Sequence, residues 1–236
     1  MKLQLYLHVA TIYGLAAASP WSPEPKGHEY QPARPSDSRS PCPGLNARAN
    51  HGWLERSGKN IDRADVDYAA VGAFNYAHGT FDGAVKMVWD YNLSTTGNSS
   101  TFNLVDLKKH DAIEFDGSLS RNDFYFGDDL HFDPAIWHTV ATRIGLYDIG
   151  HSEKGKYVTV EVAAKATAAR VADAKRVNPT FNASAAEMMG SPGTTALYLT
   201  TLRDNAADAA PKSWIRAFFG LYESLPVQLI TVLIGI

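Results

Sequence analysis

The fold of this chain is decided by residues 38–53, whose sequence is SRSPCPGLNARANHGW. At the centre of this stretch lies Cys42, the only cysteine among the 236 residues, which therefore cannot form an internal disulfide bond. Pro43 has no amide hydrogen and a fixed φ, so it suits the first position of a helix. The free amides of Gly44 and Leu45 can then point back at the sulfur and favour its thiolate form. This setting suits a nucleophile or a metal ligand, although a cysteine at a helix start can also be inert packing.

The first 18 residues are typical of a signal peptide. Lys2 precedes a short apolar run that ends in three alanines, and we place the cleavage after Ala18. The run is too short and too interrupted to span a membrane comfortably, so we expect a secreted or lumenal protein without stable membrane insertion. In an oxidising compartment the lone Cys42 is a free thiol, an intermolecular bridge or a metal ligand.

Composition and charge narrow the class of protein further. The net charge of −3 and the scattered lysines and arginines argue against nucleic acid or an anionic membrane as a partner. The length that remains after cleavage fits one domain, and we expect a monomer. Asn92, Asn98 and Asn182 each begin an N-glycosylation sequon, which agrees with secretion, although such triplets also arise by chance.

Three regions follow the predicted signal peptide. Residues 19–41 hold six prolines among many polar residues, which cannot bury a core, so we interpret them as an extended arm. Residues 42–226 show apolar residues at helical spacing and predict an all-α domain with long loops. Residues 227–236 are an apolar tail that is too short to span a membrane alone. We interpret the tail as a packed strand, or as an artefact of where the coding sequence was taken to end.

The predicted helices end at cap residues, glycines and prolines. We place them at Gly44–His51, Ala64–Ala77, Gly83–Tyr91, Pro134–Leu146, Tyr157–Val177, Thr195–Arg203 and Ser213–Tyr222. The helix that starts at Tyr157 should be the longest, and it should stop before Pro179 because proline disfavours helix in the residue before it. Strand-like alternation occurs only over Tyr157–Glu161.

Glu114, Asp116 and Ser118 form an alternating set of oxygen ligands. In an extended segment, a period of two places all three side chains on one side. Two carboxylates and a hydroxyl suit a hard cation such as Mg²⁺, which keeps several of its waters. The alternative is a solvated turn at Asp116 and Gly117, followed by a helix that Ser120 caps.

His51 offers a different role for the cysteine. Cys42 could be a nucleophile with His51 as its base, as in hydrolases. The two residues are nine positions apart on one short helix, roughly two and a half turns, so they face different sides. We therefore expect His51 to be a structural hydrogen-bonding residue near the helix end.

Three stretches, in the right order, resemble the fungal chloroperoxidase family of secreted haem-thiolate peroxidases and peroxygenases. Residues 38–53 match the family's Pro-Cys-Pro-x-Leu-Asn-x-x-Ala-Asn-His-Gly segment, and the others are 114–123 (EFDGSLSRND) and 214–226, which begins WIRAFF and ends LP. The resemblance implies a chloroperoxidase-like helical domain in which Cys42 is the proximal ligand of haem b. It also implies a divalent cation, such as Mg²⁺, beside a haem propionate, bound by Glu114, Asp116 and Ser118. A thiolate ligand pushes electron density onto iron and favours O–O cleavage.

The chain departs from the family on the distal side of the implied haem. The middle of the acidic triplet is Phe115, where the family usually has histidine or glycine, and phenylalanine cannot orient a proton. Thr194 takes the place of the distal glutamate that acts on peroxide, in the segment GTTALYL of residues 193–199. Threonine can hydrogen-bond bound oxygen or relay through water, but it cannot take up a proton at neutral pH. Glu187 is the nearest upstream carboxylate, seven residues away, and of the aromatic residues we assign pocket roles only to Phe115 and Tyr198.

These observations leave three functional hypotheses. The first is a haem-thiolate enzyme that uses hydrogen peroxide to oxidise or oxygenate a small apolar or aromatic molecule, as in a step of fungal secondary metabolism. The second is a catalytically weakened, secreted haem-binding protein or effector, which Thr194 and Phe115 favour. The third is a haem-free interaction protein with Cys42 as a dimer bridge, and the three ordered motifs argue against it.

Overall fold

The chain folds as an all-α protein, as predicted from the sequence. The structure is a computed structural model that describes residues 25–148, 153–182 and 185–220; the predicted signal peptide and the apolar tail 227–236 lie outside these ranges. The helices within them are α1 Pro43–Asn50, α2 Arg63–Phe74, α3 Asp82–Asp90, α4 Pro134–Ile144, α5 Val160–Val177, α6 Ala185–Thr201 and α7 Lys212–Gly220. Two short antiparallel strands, β1 Tyr157–Val158 and β2 Ala210–Pro211, form the sheet of this part of the chain. Over the same ranges, none of the helices is long and apolar enough to cross a membrane.

The helices begin where the sequence supplies capping groups. Pro43 occupies the first position of α1, directly after Cys42. Asp62 and Asp65 form a capping box at the start of α2, in which each side chain accepts the other's backbone amide hydrogen. The Asp133 side chain accepts two amides of the first turn of α4, and Gly145 ends that helix with a left-handed φ of 73°. The predicted starts of these helices are therefore correct to within a residue.

Three predicted boundaries were wrong. The longest predicted helix began at Tyr157, but Tyr157 and Val158 form β1 and pair with β2, so α5 begins only at Val160. The helix predicted from Thr195 begins ten residues earlier, because α6 continues through Pro192 while it packs along α5. An interior proline removes one main-chain hydrogen bond, and packing against a neighbouring helix can offset that loss. Helix α2 ends three residues early, since Asn75 takes a left-handed φ of 51°.

The buried apolar residues form two clusters. One lies among α4, α5, α6 and α7 and includes Trp137, Ile215 and Phe219. The other lies against α2, α3 and the irregular residues 92–113, and it includes Val88 and Phe102. Helix α1 contributes alanines to both clusters, which places the segment after Cys42 between the two halves of the core.

Residues 25–42 precede α1 without forming a helix or a strand, yet they are fixed to the domain. The Ser38 amide donates to the Ser57 carbonyl at 2.7 Å, and the Gln31 amide donates to the Asn50 carbonyl at 2.9 Å. Ser38 and Ser40 are buried. This part of the predicted arm therefore positions the chain that leads into Cys42.

Candidate active site

A cavity of about 330 Å³ lies between the two core clusters, and Cys42 is on its wall. Its lining is mostly apolar and comes from α1, α2, α3, α6, α7 and the loop around residue 115. Six of the candidate site residues from the sequence line this cavity together: Cys42, Glu114, Phe115, Ser118, Thr194 and Tyr198. Among the described residues, Glu114 is the only carboxylate in the lining. Residues that are far apart in the sequence thus meet at one site, as the three motifs predict.

The position of Cys42 is set by the backbone and by one asparagine. The Cys42 amide donates to the Ser40 hydroxyl at 3.2 Å. Asn46, one turn into α1, holds Ser40 at both ends: its side-chain oxygen accepts the Ser40 amide, and its side-chain nitrogen donates to the Ser40 carbonyl, each at 2.8 Å. The Cys42 thiol itself is free and exposed. It stands at the start of α1 beside Gly44, where an added Cβ would lie 3.8 Å from the sulfur.

Glu114 is buried at the cavity wall. One of its carboxylate oxygens is hydrogen-bonded and the other has no hydrogen-bond partner. His110, four residues earlier, is 2.8 Å from one carboxylate oxygen, and its ring stacks on Phe124 at 4.6 Å between ring centroids. The other oxygen, Oε1, is buried and has no hydrogen-bond partner. Burial raises the pKa of Glu114 to about 7, although the hydrogen bond from His110 lowers it. Burial also lowers the pKa of His110, but Glu114 outweighs that effect and leaves it above its ordinary value.

Asp116 does not line this cavity. The chain bends at Gly117, which has a φ of 81°, so the triplet is not one extended segment. One Asp116 oxygen accepts the Phe124 amide at 3.0 Å and the other accepts the Asn178 side chain at 2.7 Å. Asp116 lies on the wall of a neighbouring cavity between α5 and α6. Glu114 and Ser118 therefore share a cavity, whereas the Asp116 carboxylate is already held by two protein donors.

Helix α6 carries polar side chains on two sides, one facing α5 and the other facing the Cys42 cavity. The Thr195 hydroxyl is buried and lies 2.7 Å from the Thr167 hydroxyl on α5. Thr194, the next residue back, lines the Cys42 cavity. Tyr198, one turn further on, has a buried hydroxyl without a hydrogen-bond partner, and burial raises its pKa. The predicted pocket positions of Thr194 and Tyr198 thus lie on one side of α6.

Phe115 and Glu187 complete the set of predicted distal residues. The Phe115 ring packs against the backbone of α6, since a Cβ added at Gly190 would lie 2.4 Å from ring atom Cε1. Glu187 belongs to α6, but its side chain lies outside what the structure describes. Its Cα is seven residues before Thr194, nearly two helical turns, so the two backbone positions share a side of the helix.

Arg48 is a buried cation in the cavity wall. The sequence motifs did not assign it a role. Its exposed fraction is 5%, and its guanidinium lies 4.4 Å from the centroid of Phe74 and 5.2 Å from that of Phe81. Its Nε is buried and has no partner. Burial lowers the pKa of Arg48 to about 10, so it stays charged at neutral pH. Aromatic faces contribute about 0.5–2 kcal/mol to a cation, whereas burying one costs several kcal/mol. Cys42 and Tyr76 act on this charge electrostatically and favour it, but neither forms a hydrogen bond or an ion pair with the guanidinium.

Neither Arg48 nor His110 was predicted to belong to the site. Arg48 occupies an unspecified position of the first motif, four residues after Gly44, and therefore lies on the same face of α1 as Gly44. Its helical spacing could have indicated its place. His110 and Glu114 are four residues apart on a turn that is not a helix, so no periodic pattern indicated their contact.

Comparison with known proteins shows which family this chain resembles. Residues 28–230 match the family described as Peroxidase, family 2. An aromatic peroxygenase of Coprinellus radians is 31% identical over 173 residues, which are 66% of this chain and 62% of that protein. A chloroperoxidase of Leptoxyphium fumago is 32% identical over 121 residues, 47% of this chain and 32% of that protein. A dothistromin biosynthesis peroxidase of Dothistroma septosporum is 28% identical over 128 residues, 48% of this chain and 30% of that protein. The chain thus spans less than two thirds of the length of these relatives.

Proposed function

The chain belongs to the chloroperoxidase family (Peroxidase, family 2), and on that premise we propose that it is a haem-thiolate peroxidase or peroxygenase. It uses hydrogen peroxide to oxidise or oxygenate a small apolar or aromatic molecule. The single observation that carries this proposal is the free Cys42 thiol at the start of α1, on the wall of a mostly apolar cavity. A related peroxidase is named for dothistromin biosynthesis, and we extend the proposal to a step in secondary metabolism.

The residues of the cavity fit a haem. A haem has two apolar faces and two carboxylates, and it needs at least one axial ligand. The cavity offers the Cys42 thiol, apolar walls from residues such as Phe74 and Phe218, and lining residues with three buried polar atoms that lack partners: Glu114 Oε1, Arg48 Nε and the Tyr198 hydroxyl. When bound, haem with a thiolate ligand supplies iron chemistry that favours cleavage of the O–O bond of peroxide.

The protein's own groups prepare the site for that chemistry. Asn46 holds Ser40 and so fixes the backbone from which the thiol projects. The apolar lining excludes water and favours small apolar or aromatic substrates. Thr194 is one of the polar residues that α6 contributes to the cavity that Phe115 also lines. Its hydroxyl can donate a hydrogen bond to an oxygen of bound peroxide or pass a proton through a water, but it cannot hold the proton at neutral pH.

We also propose that Glu114 and Ser118, which share the cavity, hold a divalent cation, most readily Mg²⁺. Asp116, the third predicted ligand, is left out of this site because its carboxylate is held by Phe124 and Asn178 and lines the neighbouring cavity. The buried Oε1 of Glu114 is available to coordinate a cation, because a carboxylate oxygen left without a partner in a buried site is costly. Metal analysis of the purified holoprotein should find about one divalent cation per haem, and Glu114→Gln, which keeps the shape and removes the charge, should lose it. A holoprotein that is free of Mg²⁺, Ca²⁺ and Mn²⁺ contradicts this site.

The test of the proposed function is peroxide-driven turnover of the haem-loaded protein. With a small aromatic substrate and ¹⁸O-labelled peroxide, we expect an oxidised product, and label in that product identifies oxygen insertion. Cys42→Ser, which keeps the size of the side chain, should lose this activity. Equal turnover by Cys42→Ser, or no haem uptake by the natural protein, contradicts the proposal.

A second candidate function is a secreted haem-binding protein with weakened turnover. Thr194 and Phe115 favour it, since neither can act as a base towards peroxide and both line the cavity. Secretion is part of both proposals. It rests on the signal-like N-terminus and on Asn92, Asn98 and Asn182, which begin the three sequons and are exposed. Haem binding with normal thiolate ligation but no peroxide-dependent product identifies this second function.

A further inference from the structure

We propose that Arg48 binds a carboxylate of the porphyrin, as a second anchor for the cofactor besides the Glu114 region. The inference rests on the proposed function, because it presupposes that the cavity takes up haem. It concerns a residue to which neither the motif nor the proposed cation site assigns a role. Arg48 lines the same cavity as Cys42 and is 95% buried, with an exposed fraction of 5%.

Arg48 makes no ion pair and no hydrogen bond with the described residues, and the aromatic faces of Phe74 and Phe81 lie against its guanidinium. The Cys42 sulfur acts on Arg48 electrostatically, but it does not hydrogen-bond the guanidinium and is the group proposed to ligate iron. Another buried arginine, Arg170, has an anionic partner: it donates to the Asp123 carboxylate and to the Ser118 carbonyl. A buried guanidinium without an anion is costly, so a ligand that supplies the anion is stabilised by it.

The shape of the guanidinium and the lining of the cavity indicate which kind of anion Arg48 can bind. A guanidinium is a planar fork of donors that matches a carboxylate or a phosphate and is not matched by a halide or a single thiolate. The rest of the cavity is mostly apolar, with Leu45, Val66 and Val85 among its lining residues, so it suits a largely apolar ligand that carries few charges. A porphyrin with two propionates has this character.

Arg48 and the Cys42 thiol lie along the same wall of the cavity. Gly44 and Arg48 are four residues apart on α1, and a Cβ at Gly44 would lie 3.8 Å from the Cys42 sulfur and 3.9 Å from Phe74. Phe74 is also the ring over which the Arg48 guanidinium lies. Sulfur, aromatic ring and cation therefore follow one another along a single wall. A flat ligand held by Cys42 extends along this wall towards Arg48.

A substrate carboxylate is the other possible source of the same chemistry. Arg48 and Cys42 both belong to the segment around α1 and line the same cavity, so a haem held by Cys42 would lie within reach of Arg48. Peroxide and substrate would then need the part of the cavity away from the sulfur. This arrangement favours the porphyrin carboxylate.

The experiment compares two ligands that differ only in their carboxylates. Dissociation constants are measured for iron protoporphyrin IX and for its dimethyl ester, with the full chain and with Arg48→Met. Methionine keeps an apolar stem against Phe74 and Phe81. We expect Arg48→Met to weaken binding of the free acid by on the order of 10- to 100-fold, the contribution of a charge-assisted hydrogen bond, and to leave binding of the ester within about twofold.

Two further variants serve as controls. Arg48→Lys should lie between the natural protein and Arg48→Met, because a lysine keeps the charge and loses the fork. Arg63→Met removes the same charge from an exposed residue outside the cavity, and it should leave both dissociation constants unchanged. Unchanged binding of the ester by Arg48→Met also shows that the variant is folded.

Three outcomes overturn the inference. Equal weakening of free acid and ester assigns Arg48 a structural role. Unchanged binding of both ligands assigns it no role towards the porphyrin. Unchanged haem affinity together with a raised KM for an aryl carboxylate, but not for its neutral ester, assigns Arg48 to the substrate. In each of these cases a thiolate-type spectrum of the natural protein shows that the proposed function still stands, whereas failure of the natural protein to take up haem refutes that function itself.

Discussion

We propose that Thr194 limits how well this site can act on peroxide. It lines the same cavity as Phe115, and its hydroxyl is a poor proton acceptor. General acid–base groups contribute about 10²–10⁴ in rate, so threonine in place of a carboxylate at position 194 should lower the reaction rate by a large factor. Slow turnover with intact haem binding is the expected consequence.

Replacing Thr194 by glutamate should restore part of this loss. We expect Thr194→Glu to raise the rate of peroxide consumption in a stopped-flow assay by about tenfold or more, since a carboxylate can take up the peroxide proton. Adding Phe115→His should raise it further, by orienting the new carboxylate. The comparison variant is Glu187→Gln. If Glu187→Gln abolishes activity and Thr194→Glu changes nothing, Glu187 is the acid–base residue and the assignment of Thr194 is mistaken.

Much of the site could be predicted from single residues. Cys42, Glu114, Phe115, Ser118 and Thr194 were predicted to meet, and they line one cavity. Asp116 was expected to join them, but the bend at Gly117 directs it to Phe124 and Asn178. A period-two pattern carries no information about such a bend, so only the tertiary contacts reveal it.

At the scale of elements, α6 determines the shape of the distal wall. It brings Thr194 and Tyr198 to the cavity, and Gly190 lets the Phe115 ring approach its backbone. The sequence predicted only the second half of this helix, because Gly190, Pro192 and Gly193 are all poor helix formers. Packing along α5 overrides that local preference, and β1 pairs with a strand 53 residues away that no local pattern indicates.

The contact between α6 and Phe115 can be tested with two glycines of the same helix. Alanine is a better helix former than glycine by about 1 kcal/mol. At Gly193 a Cβ meets no atom within 4 Å, so Gly193→Ala should raise the free energy of unfolding by up to about 1 kcal/mol. At Gly190 the Cβ would lie 2.4 Å from Phe115, so Gly190→Ala should lower it by about 1–3 kcal/mol.

Denaturant unfolding of the two variants measures both effects. Combining Gly190→Ala with Phe115→Ala should recover part of the loss, because the clash is then removed. Similar stabilisation by Gly190→Ala and Gly193→Ala would show that Phe115 does not pack against α6 as described.

At the scale of the whole molecule, the segment before α1 is joined to the helical domain through two histidines. His51 Nδ1 is 3.0 Å from the His28 carbonyl oxygen, and His28 Nδ1 is 3.0 Å from the His51 carbonyl oxygen. The His28 ring stacks on Trp53 at 3.5 Å between ring centroids. Burial lowers the pKa of His51 to about 4, and the hydrogen bond that its ring donates to the His28 carbonyl only partly opposes this.

This lowered pKa predicts a loss of stability in acid. Between about pH 6.5 and pH 4 the unfolded chain binds a proton at His51 and the folded protein does not, so the free energy of unfolding falls as the pH falls. The expected contribution between pH 7 and pH 5 is a loss of roughly 2 kcal/mol. His51→Gln should show a flatter dependence in urea unfolding, whereas His131→Gln, at an exposed position, should behave like the natural protein. The same slope in all three proteins refutes the assignment to His51.

The two core clusters give the molecule its functional form, because the cavity with Cys42 lies where they meet. The all-α class and most of the helices followed from periodicity and capping residues. The meeting of the clusters did not, since it depends on long-range packing of Phe74 and Phe218, which are 144 positions apart in the sequence. For the same reason the burial of Arg48 without a hydrogen-bonded anion is recognisable only in the folded chain.

The measurement that tests the central claim most directly is the absorption spectrum of the reduced, haem-loaded protein under carbon monoxide. With Cys42 as the axial ligand, we predict the strongly red-shifted Soret band of a thiolate-ligated carbonyl haem. The Cys42→Ala variant should lack this band. A band at the position typical of histidine ligation, or an unchanged spectrum and haem content in Cys42→Ala, would contradict the account.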